Sequence, residues 1–352
     1  MAKPVIGITM GDPAGIGPEI TVKALSHPEV YDISRPLVIG DADYLQETVE
    51  WLGLGGSVEV LRVETERTED LGSFDYIPGK IAVYDVDSGR GSSGFQPGTP
   101  QSGHAALIWI EAAARLAMAG RIDAICTAPI NKEAIVKAGY AGFKGHTEFL
   151  GELTGTPEPL TMFVVDNLRI FFLTRHVSLR KAVEAVTLKR LVEFVPRCND
   201  ALVALGLKAP RIAIAGLNPH CGEGGLFGDE EEKEIAPAVC ELRSSGYDVT
   251  GPVPADSVFY QARTGKYDAV VSLYHDQGHI AAKTLDFDRT VSVTLGLPFL
   301  RTSVDHGTAY DIAGKGIARE TSMLEALKVA SLYARLYAPN RLCGKDDSCK
   351  IE

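Results

Sequence analysis

The chain has 352 residues, 45% apolar and 23% charged, with 35 basic against 46 acidic residues for a net charge of −11. That length exceeds the roughly 250–300 residues one hydrophobic core supports, so two domains are expected, and the composition excludes a disordered or low-complexity chain. An acidic balance without any Lys/Arg-rich run argues against nucleic acid as a partner, and no apolar run approaches the roughly 20 residues of a membrane span.

In chain order, Met1-Ala2-Lys3-Pro4-Val5-Ile6-Gly7-Ile8 reads as an opening strand. It lacks the apolar stretch and small-residue cleavage site of an export signal, so a cytoplasmic protein is expected. Short β-branched runs predict strands over 5–10, 36–39, 122–127, 168–174, 211–216, 269–274 and 291–295. Helical spacing predicts helices over 17–25, 105–119, 187–205, 230–244 and 321–337. Pro196 is expected to kink or split the third of these. The alternation predicts an α/β protein with largely parallel strands. The Gly/Ser/Pro-rich stretch 88–103 reads as a mobile loop or a linker crossing, and no repeat of fixed period is present. The six cysteines, Cys126, Cys198, Cys221, Cys240, Cys343 and Cys349, form no C-x-x-C pair. Neither a disulfide framework nor a zinc knuckle is expected, and Cys343 and Cys349 are expected to be free thiols.

Three predicted strands run into a histidine: Phe171-Phe172-Leu173-Thr174-Arg175-His176, Ala215-Gly216-Leu217-Asn218-Pro219-His220 and Val271-Ser272-Leu273-Tyr274-His275. Open α/β sheets bind ligands beyond the carboxyl ends of their strands. Parallel strands would set the three imidazoles along one rim, and three imidazoles plus an open position suit a catalytic divalent ion. Asp276 follows the third histidine and Asp256 lies nearby in sequence, so either could add an oxygen ligand or orient a ring. The competing reading is three unrelated polar residues at loop starts. The intervals of 44 and 55 residues match no short metal motif, but the shared position at three strand ends favours the metal. His279 and His104 are assigned structural roles.

Gly11-Asp12-Pro13-Ala14-Gly15-Ile16-Gly17-Pro18-Glu19 joins the first strand to the first helix. Its glycines permit a tight turn with backbone N–H groups near a helix N-terminus, the setting of an anion or cofactor site; a plain structural turn is the equal alternative. It is neither G-x-G-x-x-G nor a Walker loop. The cluster Gly222-Glu223-Gly224-Gly225-Leu226-Phe227-Gly228 runs into acidic residues 229–232, which oppose phosphate and suit the start of a helix.

Several segments together carry a family resemblance: Gly145-His146-Thr147-Glu148-Phe149, Gly216-Leu217-Asn218-Pro219-His220 with Gly222-Glu223-Gly224-Gly225, Tyr274-His275-Asp276-Gln277-Gly278, and Leu295-Gly296-Leu297-Pro298-Phe299 through Arg301 to Ala309. In this order they resemble the 4-hydroxythreonine-4-phosphate dehydrogenase family over nearly the whole chain. The segment His306-Gly307-Thr308-Ala309-Tyr310-Asp311-Ile312-Ala313-Gly314-Lys315-Gly316 also resembles the adenosine-binding loop of isocitrate and isopropylmalate dehydrogenases. The resemblance implies an isocitrate/isopropylmalate dehydrogenase-like, non-Rossmann α/β fold of two domains with the active site in the cleft between them. One domain would hold residues 1–125 and 292–352 and the dinucleotide; the other, 126–291, would hold metal, substrate and the dimer contact. It implies a homodimer with the metal site at the subunit interface. His176, His220 and His275 would bind zinc, or else magnesium, manganese or cobalt. His146, Thr147, Lys283, Ser292 and Arg301 would meet the substrate, and His306, Gly307, Thr308, Ala309, Asp311 and Ile312 would meet NAD or NADP.

The implied reaction oxidises the C3 hydroxyl of a 4-phosphorylated four-carbon acid and then releases CO2. Lys283 would act as acid/base or as a phosphate cation, with Asp256 and Asp276 as further candidate bases. One departure stands out: Ser292 occupies a position where biosynthetic members of the family carry asparagine. The first expectation is 4-phosphooxy-L-threonine, converted to 3-amino-2-oxopropyl phosphate in the manner of pyridoxal phosphate biosynthesis. The alternatives are 4-phospho-D-threonate, 4-phospho-D-erythronate and a terephthalate dihydrodiol. Readings from other classes are a metal-dependent hydrolase and a non-catalytic binding protein.

Overall fold

In the computed structural model, which describes residues 3–63, 71, 74–91 and 94–337, the first strand, β1 (Val5–Thr9), is buried along its whole length. That pattern belongs to a parallel strand covered on both faces. There follow β2 (Arg35–Gly40), β3 (Glu59–Val63), β4 (Lys80–Asp85), β5 (Ala124–Thr127), β6 (Leu160–Val165), β7 (Leu168–Phe172), β8 (Ile212–Ala215), β9 (Val249–Val253), β10 (Ala269–Ser272), β11 (Val291–Leu295) and β12 (Leu300–Val304).

Contacts divide the chain into two units. The first joins Met1–Pro159 to Leu297–Arg335, and the second comprises Leu160–Gly296 and Leu336–Glu352. Residues 126–159 stay with the first because helix Lys132–Lys137 packs on helix Pro100–Met118. In the first unit the strand order is β3-β4-β2-β1-β5-β12, and every pair is parallel. The second has the order β11-β6-β7-β10-β8-β9. Its β11/β6 and β6/β7 pairs are antiparallel and the rest parallel. The expected parallel arrangement thus describes the first unit, while the second is mixed. The β6–β7 hairpin turns at Asp166, whose φ of 49° is one that aspartate tolerates.

The helix predicted over 105–119 begins earlier, at Pro100. Thr99 caps it by accepting the Ser102 N–H, and Pro100 fits the first turn, where no N–H is needed. The irregular stretch therefore ends at Thr99. Helix Leu188–Ala204 runs on through Pro196, because its buried face of Leu191, Val195, Cys198, Ala201 and Leu202 outweighs the lost bond. The segment predicted over 230–244 starts as a wide turn, Glu231–Ile235, before helix Ala236–Ser244. The last helix, Thr321–Ala334, stops short of its predicted end. Beneath β6, β7 and β10 the second core gathers Phe163, Ile170, Phe172, Val258, Tyr267 and Val270.

Cys126, Cys198, Cys221 and Cys240 are free thiols; Cys343 and Cys349, for which free thiols were expected, lie outside the described residues. Burial pushes the Cys126 thiol up to about 12, so it is no nucleophile. Among the described residues, no helix is long and apolar enough to cross a membrane.

Gly103 marks a close helix contact in the first unit, since a Cβ there would lie 2.2 Å from the Ala134 carbonyl carbon. Gly103→Ala is expected to cost about 1–3 kcal/mol by forcing the two helices apart. A thermal melt reads this as a lowered Tm; an unchanged Tm would contradict the tight packing.

Candidate active site

In the second unit, β10 lies between β7 and β8 and is parallel to both, so the three carboxyl ends share one rim. His176 follows β7, His275 opens helix His275–Leu285 after β10, and His220 lies in the 3-10 turn Pro219–Glu223 after β8. The His176 and His275 ring centroids are 5.9 Å apart. Both rings line a cavity of about 260 Å³, together with Arg175, Tyr274 and Asp276. Asp276 Oδ1 is 2.7 Å from His275 Nδ1. That contact puts the ring proton on Nδ1 and leaves the lone pair on Nε2 for a ligand. His279 stacks on His275 at 3.6 Å, with its Nδ1 2.8 Å from the His275 carbonyl oxygen. Phe163 and Phe172 back the His279 ring at 4.4 Å each.

His220 stands apart from this pair. Its φ is 52°, and Cys221 and Gly222 follow at 59° and 78°. Among the described residues of one subunit, no three His, Cys, Asp or Glu side chains gather so as to hold an ion. Two imidazoles on one cavity, one of them oriented by a carboxylate, have the donor chemistry of a divalent metal site. Asp256 is exposed in the first turn of helix Ala255–Arg263 and shares with Asp276 the wall of a groove of about 690 Å³. The Lys283 ammonium lies 5.0 Å above the Phe287 ring. Ser292 is half-buried on β11, opposite Phe163.

In the first unit, the glycine-rich loop after β1 uses its N–H groups internally. Asp12 N donates to Pro129 O, Gly15 N to Asp12 O and Ile16 N to Thr308 O; Ala14 N donates to Asp12 Oδ1. These four donors are spent within the protein, which favours the structural turn. Asp12 is fully buried, and Tyr310 donates to its Oδ2 at 2.6 Å. Gly98 N reaches the same phenol oxygen at 3.3 Å. The loop thus clasps the segment carrying His306, Gly307, Thr308, Ala309, Asp311 and Ile312. Thr308 is buried and Asp311 exposed, and a Cβ on Gly307 would meet open space. A cavity of about 490 Å³ lies beside this segment's end, lined by Lys23, His27, Trp51, Gly314 and Lys315.

Arg301, on β12, is only 4% exposed. Its Nε and Nη2 donate to Thr127 Oγ1 at 3.1 and 2.7 Å. Burial lowers its pKa to about 10, so it stays cationic at neutral pH. His146 opens helix His146–Thr154, followed by the half-buried Thr147. Burial, then the Arg301 and Lys132 charges, hold its pKa well below the usual range, so the ring is neutral. Its Nε2 is buried with no hydrogen-bond partner. A buried nitrogen without a partner is rare in a folded protein, and this one lies near the Arg301 charge. Sequence reasoning gave Asp12, Tyr310, Glu231 and Gln277 no individual role; His279, assigned a structural role, packs between His275 and two phenylalanines. Only His279 left a signal, since its i,i+4 spacing puts it on the face of His275.

The family profile described as Pyridoxal phosphate biosynthetic protein PdxA matches residues 32–330. A Symbiobacterium thermophilum protein provisionally named D-threonate 4-phosphate dehydrogenase is 52% identical over 339 residues, covering 96% of this chain and 99% of its own. The 4-hydroxythreonine-4-phosphate dehydrogenase of Klebsiella pneumoniae superposes with a TM-score of 0.84 at 40% identity, over 94% of this chain and 100% of that one. The Burkholderia phymatum enzyme of the same name gives 0.81 at 45%, over 95% and 99%. The expected likeness to isocitrate dehydrogenase is weak, with a TM-score of 0.41, and carries no argument. Fold and relatives make the chain an oxidoreductase of the dehydrogenase class, acting on CH–OH groups. It belongs to the PdxA family.

Burial raises the Asp12 carboxyl pKa. The stability this group contributes is full below the ordinary carboxylate value of about 4 and is lost as pH rises through the raised folded value. Asp12→Asn keeps an acceptor for Ala14 N and cannot ionise. Its Tm relative to the parent is expected to improve as the pH is taken upward from that value. A difference that stays flat with pH would remove the buried charge from the account.

Proposed function

We propose that the chain catalyses the NAD(P)- and divalent-metal-dependent oxidation of the C3 hydroxyl of 4-phospho-D-threonate, followed by loss of CO2 to give dihydroxyacetone phosphate. The observation that carries this choice is the 52% identity, over 96% of the chain, to a relative named for that acid. Ser292 supports it, because a changed side chain at this strand position suits a changed head group. The second reading, 4-phosphooxy-L-threonine, is favoured by the names of the solved structures at 40–45% identity.

When bound, the nicotinamide accepts hydride from C3, while the divalent ion acidifies the C3 hydroxyl and stabilises the charge left when CO2 departs. His176, His220 and His275 would hold that ion, with Asp276 fixing the His275 tautomer. Arg301 would hold the phosphate, and the neutral His146 and Thr147 would offer hydrogen bonds without adding charge. Lys283 would move the proton or help hold the phosphate, with Asp256 as a lesser candidate base. Segment 306–312 would take the dinucleotide.

With nicotinamide and a divalent metal salt present, 4-phospho-D-threonate is expected to produce reduced-nicotinamide absorbance. Turnover of 4-phosphooxy-L-threonine alone would select the second reading, and turnover of a terephthalate dihydrodiol alone would overturn both. A charge-assisted contact of about 1.5–3 kcal/mol makes Arg301→Ala lose roughly 10- to 150-fold in kcat/KM. Arg301→Lys keeps the charge and is expected to lose less. Equal losses on an analogue lacking the phosphate would assign Arg301 to the fold.

A homodimer with His220 completing the pair of a second copy accounts for its separation from His176 and His275. Tyr260 and Ile280, 69% and 63% exposed, line the apolar groove beside Asp276, and an exposed apolar patch of this kind suits a partner. Ile280→Glu is expected to shift the molar mass measured by light scattering from dimer to monomer. A parent that runs as a monomer would exclude the shared site.

A further inference from the structure

The rim that carries the three histidines is held together by two buried polar side chains with no role in the reaction outlined above. Gln277 is 9% exposed. Its Oε1 accepts the Leu273 N–H at 2.7 Å, and its Nε2 donates to the Gly216 carbonyl at 2.8 Å. Leu273 lies just past β10 and Gly216 just past β8. One amide therefore ties the strand end leading to His275 to the strand end leading to His220. On the opposite side Thr174 donates to the Leu273 carbonyl at 2.8 Å, joining the β7 end that leads to His176.

Glu231, 2% exposed, acts on the His220 loop itself. Its Oε1 accepts from Leu217 N at 2.8 Å and Asn218 N at 2.7 Å. Its Oε2 accepts from Asn218 Nδ2 at 2.8 Å. Beyond these residues the backbone is left-handed from His220 through Gly225. Three of those positions, His220, Cys221 and Glu223, are not glycine, and each such residue costs on the order of 1–2 kcal/mol. A run of that kind persists only where surrounding bonds over-determine it. Room for the brace is tight, since a Cβ on Gly216 would lie 2.7 Å from Cys221 Sγ.

We infer that Gln277 and Glu231 are positioning residues: Gln277 fixes the spacing of the His275 and His220 strand ends, and Glu231 imposes the left-handed loop that presents His220. This rests on the proposed metal site, and the test separates the two. Full-length parent protein is titrated with cobalt(II) alone, followed by visible absorption and equilibrium dialysis, beside His275→Ala, Gln277→Leu, Gln277→Glu and Glu231→Gln. Parent binding that is lost in His275→Ala upholds the metal site. The positioning variants are then expected to bind cobalt(II) roughly 10- to 100-fold more weakly, as groups supporting metal ligands do. They should also lower kcat more than they raise the nicotinamide KM. Gln277→Glu keeps the acceptor for Leu273 and sets an oxygen against the Gly216 carbonyl, so it probes the bridge if Gln277→Leu does not fold. Folded Gln277→Glu and Glu231→Gln with parental cobalt affinity and spectrum overturn the inference. Absent binding by the parent, or binding unchanged in His275→Ala, overturns the metal site and the inference with it.

Discussion

A parallel strand that ends inside a protein leaves peptide groups without partners, and burial forbids leaving them so. This constraint shapes both units. In the second, the ends of β7, β10 and β8 are closed by Thr174, Gln277 and Glu231. In the first, the turn after β1 is closed by Asp12, Pro129 and Thr308. The side chains among these, Thr174, Gln277, Glu231 and Asp12, are buried and polar, and removing one leaves an orphaned peptide at a cost of about 1–3 kcal/mol. Candidate functional groups stand directly on these closures: His275 two residues before Gln277, His220 two after Asn218, and Thr308 within the candidate dinucleotide segment.

Electrostatics follow the same logic at shorter range. A chain of net charge −11 repels a phosphorylated acid at long distance. Arg301 opposes that field from a buried position, where a charge acts through little solvent. Burial brings its pKa only to about 10, so the guanidinium keeps its proton at neutral pH. Beside it, His146 is held neutral by burial and by the cations around it. The pair can thus present charge and a hydrogen bond to one ligand without two competing cations.

Much of this was legible in the sequence where a local signal existed. β-branched runs marked β1, β2, β5, β7, β8, β10 and β11, and helical spacing marked helix Gly17–Leu25. The three strand-end histidines followed from the strands themselves. β12 was not legible, because Leu300-Arg301-Thr302-Ser303-Val304 is polar in the middle and only tertiary burial makes it a strand. The antiparallel β6 likewise depends on pairing with β7 and β11. Glu231 and Gln277 were invisible for a different reason: each satisfies backbone far away in sequence, and no residue spacing encodes that. The acidic run after Gly228 does open the helical segment at Glu230, and from its first turn Glu231 also reaches back to the His220 loop.

The division between closing groups and strand-borne side chains also explains how one fold could serve different acids. Ser292 is fixed in the sheet by its backbone, which pairs with β6 whatever its side chain is. Its replacement therefore releases no buried peptide group. A change at Gln277, Glu231 or Asp12 has no such freedom, because the side chain itself completes the backbone bonding. Variation in head-group recognition is thus cheapest at positions like Ser292. The histidine rim and the clasped 306–312 segment are tied to stability and resist change. The side chain at position 292 can then change while the pairing of β11 with β6 is kept.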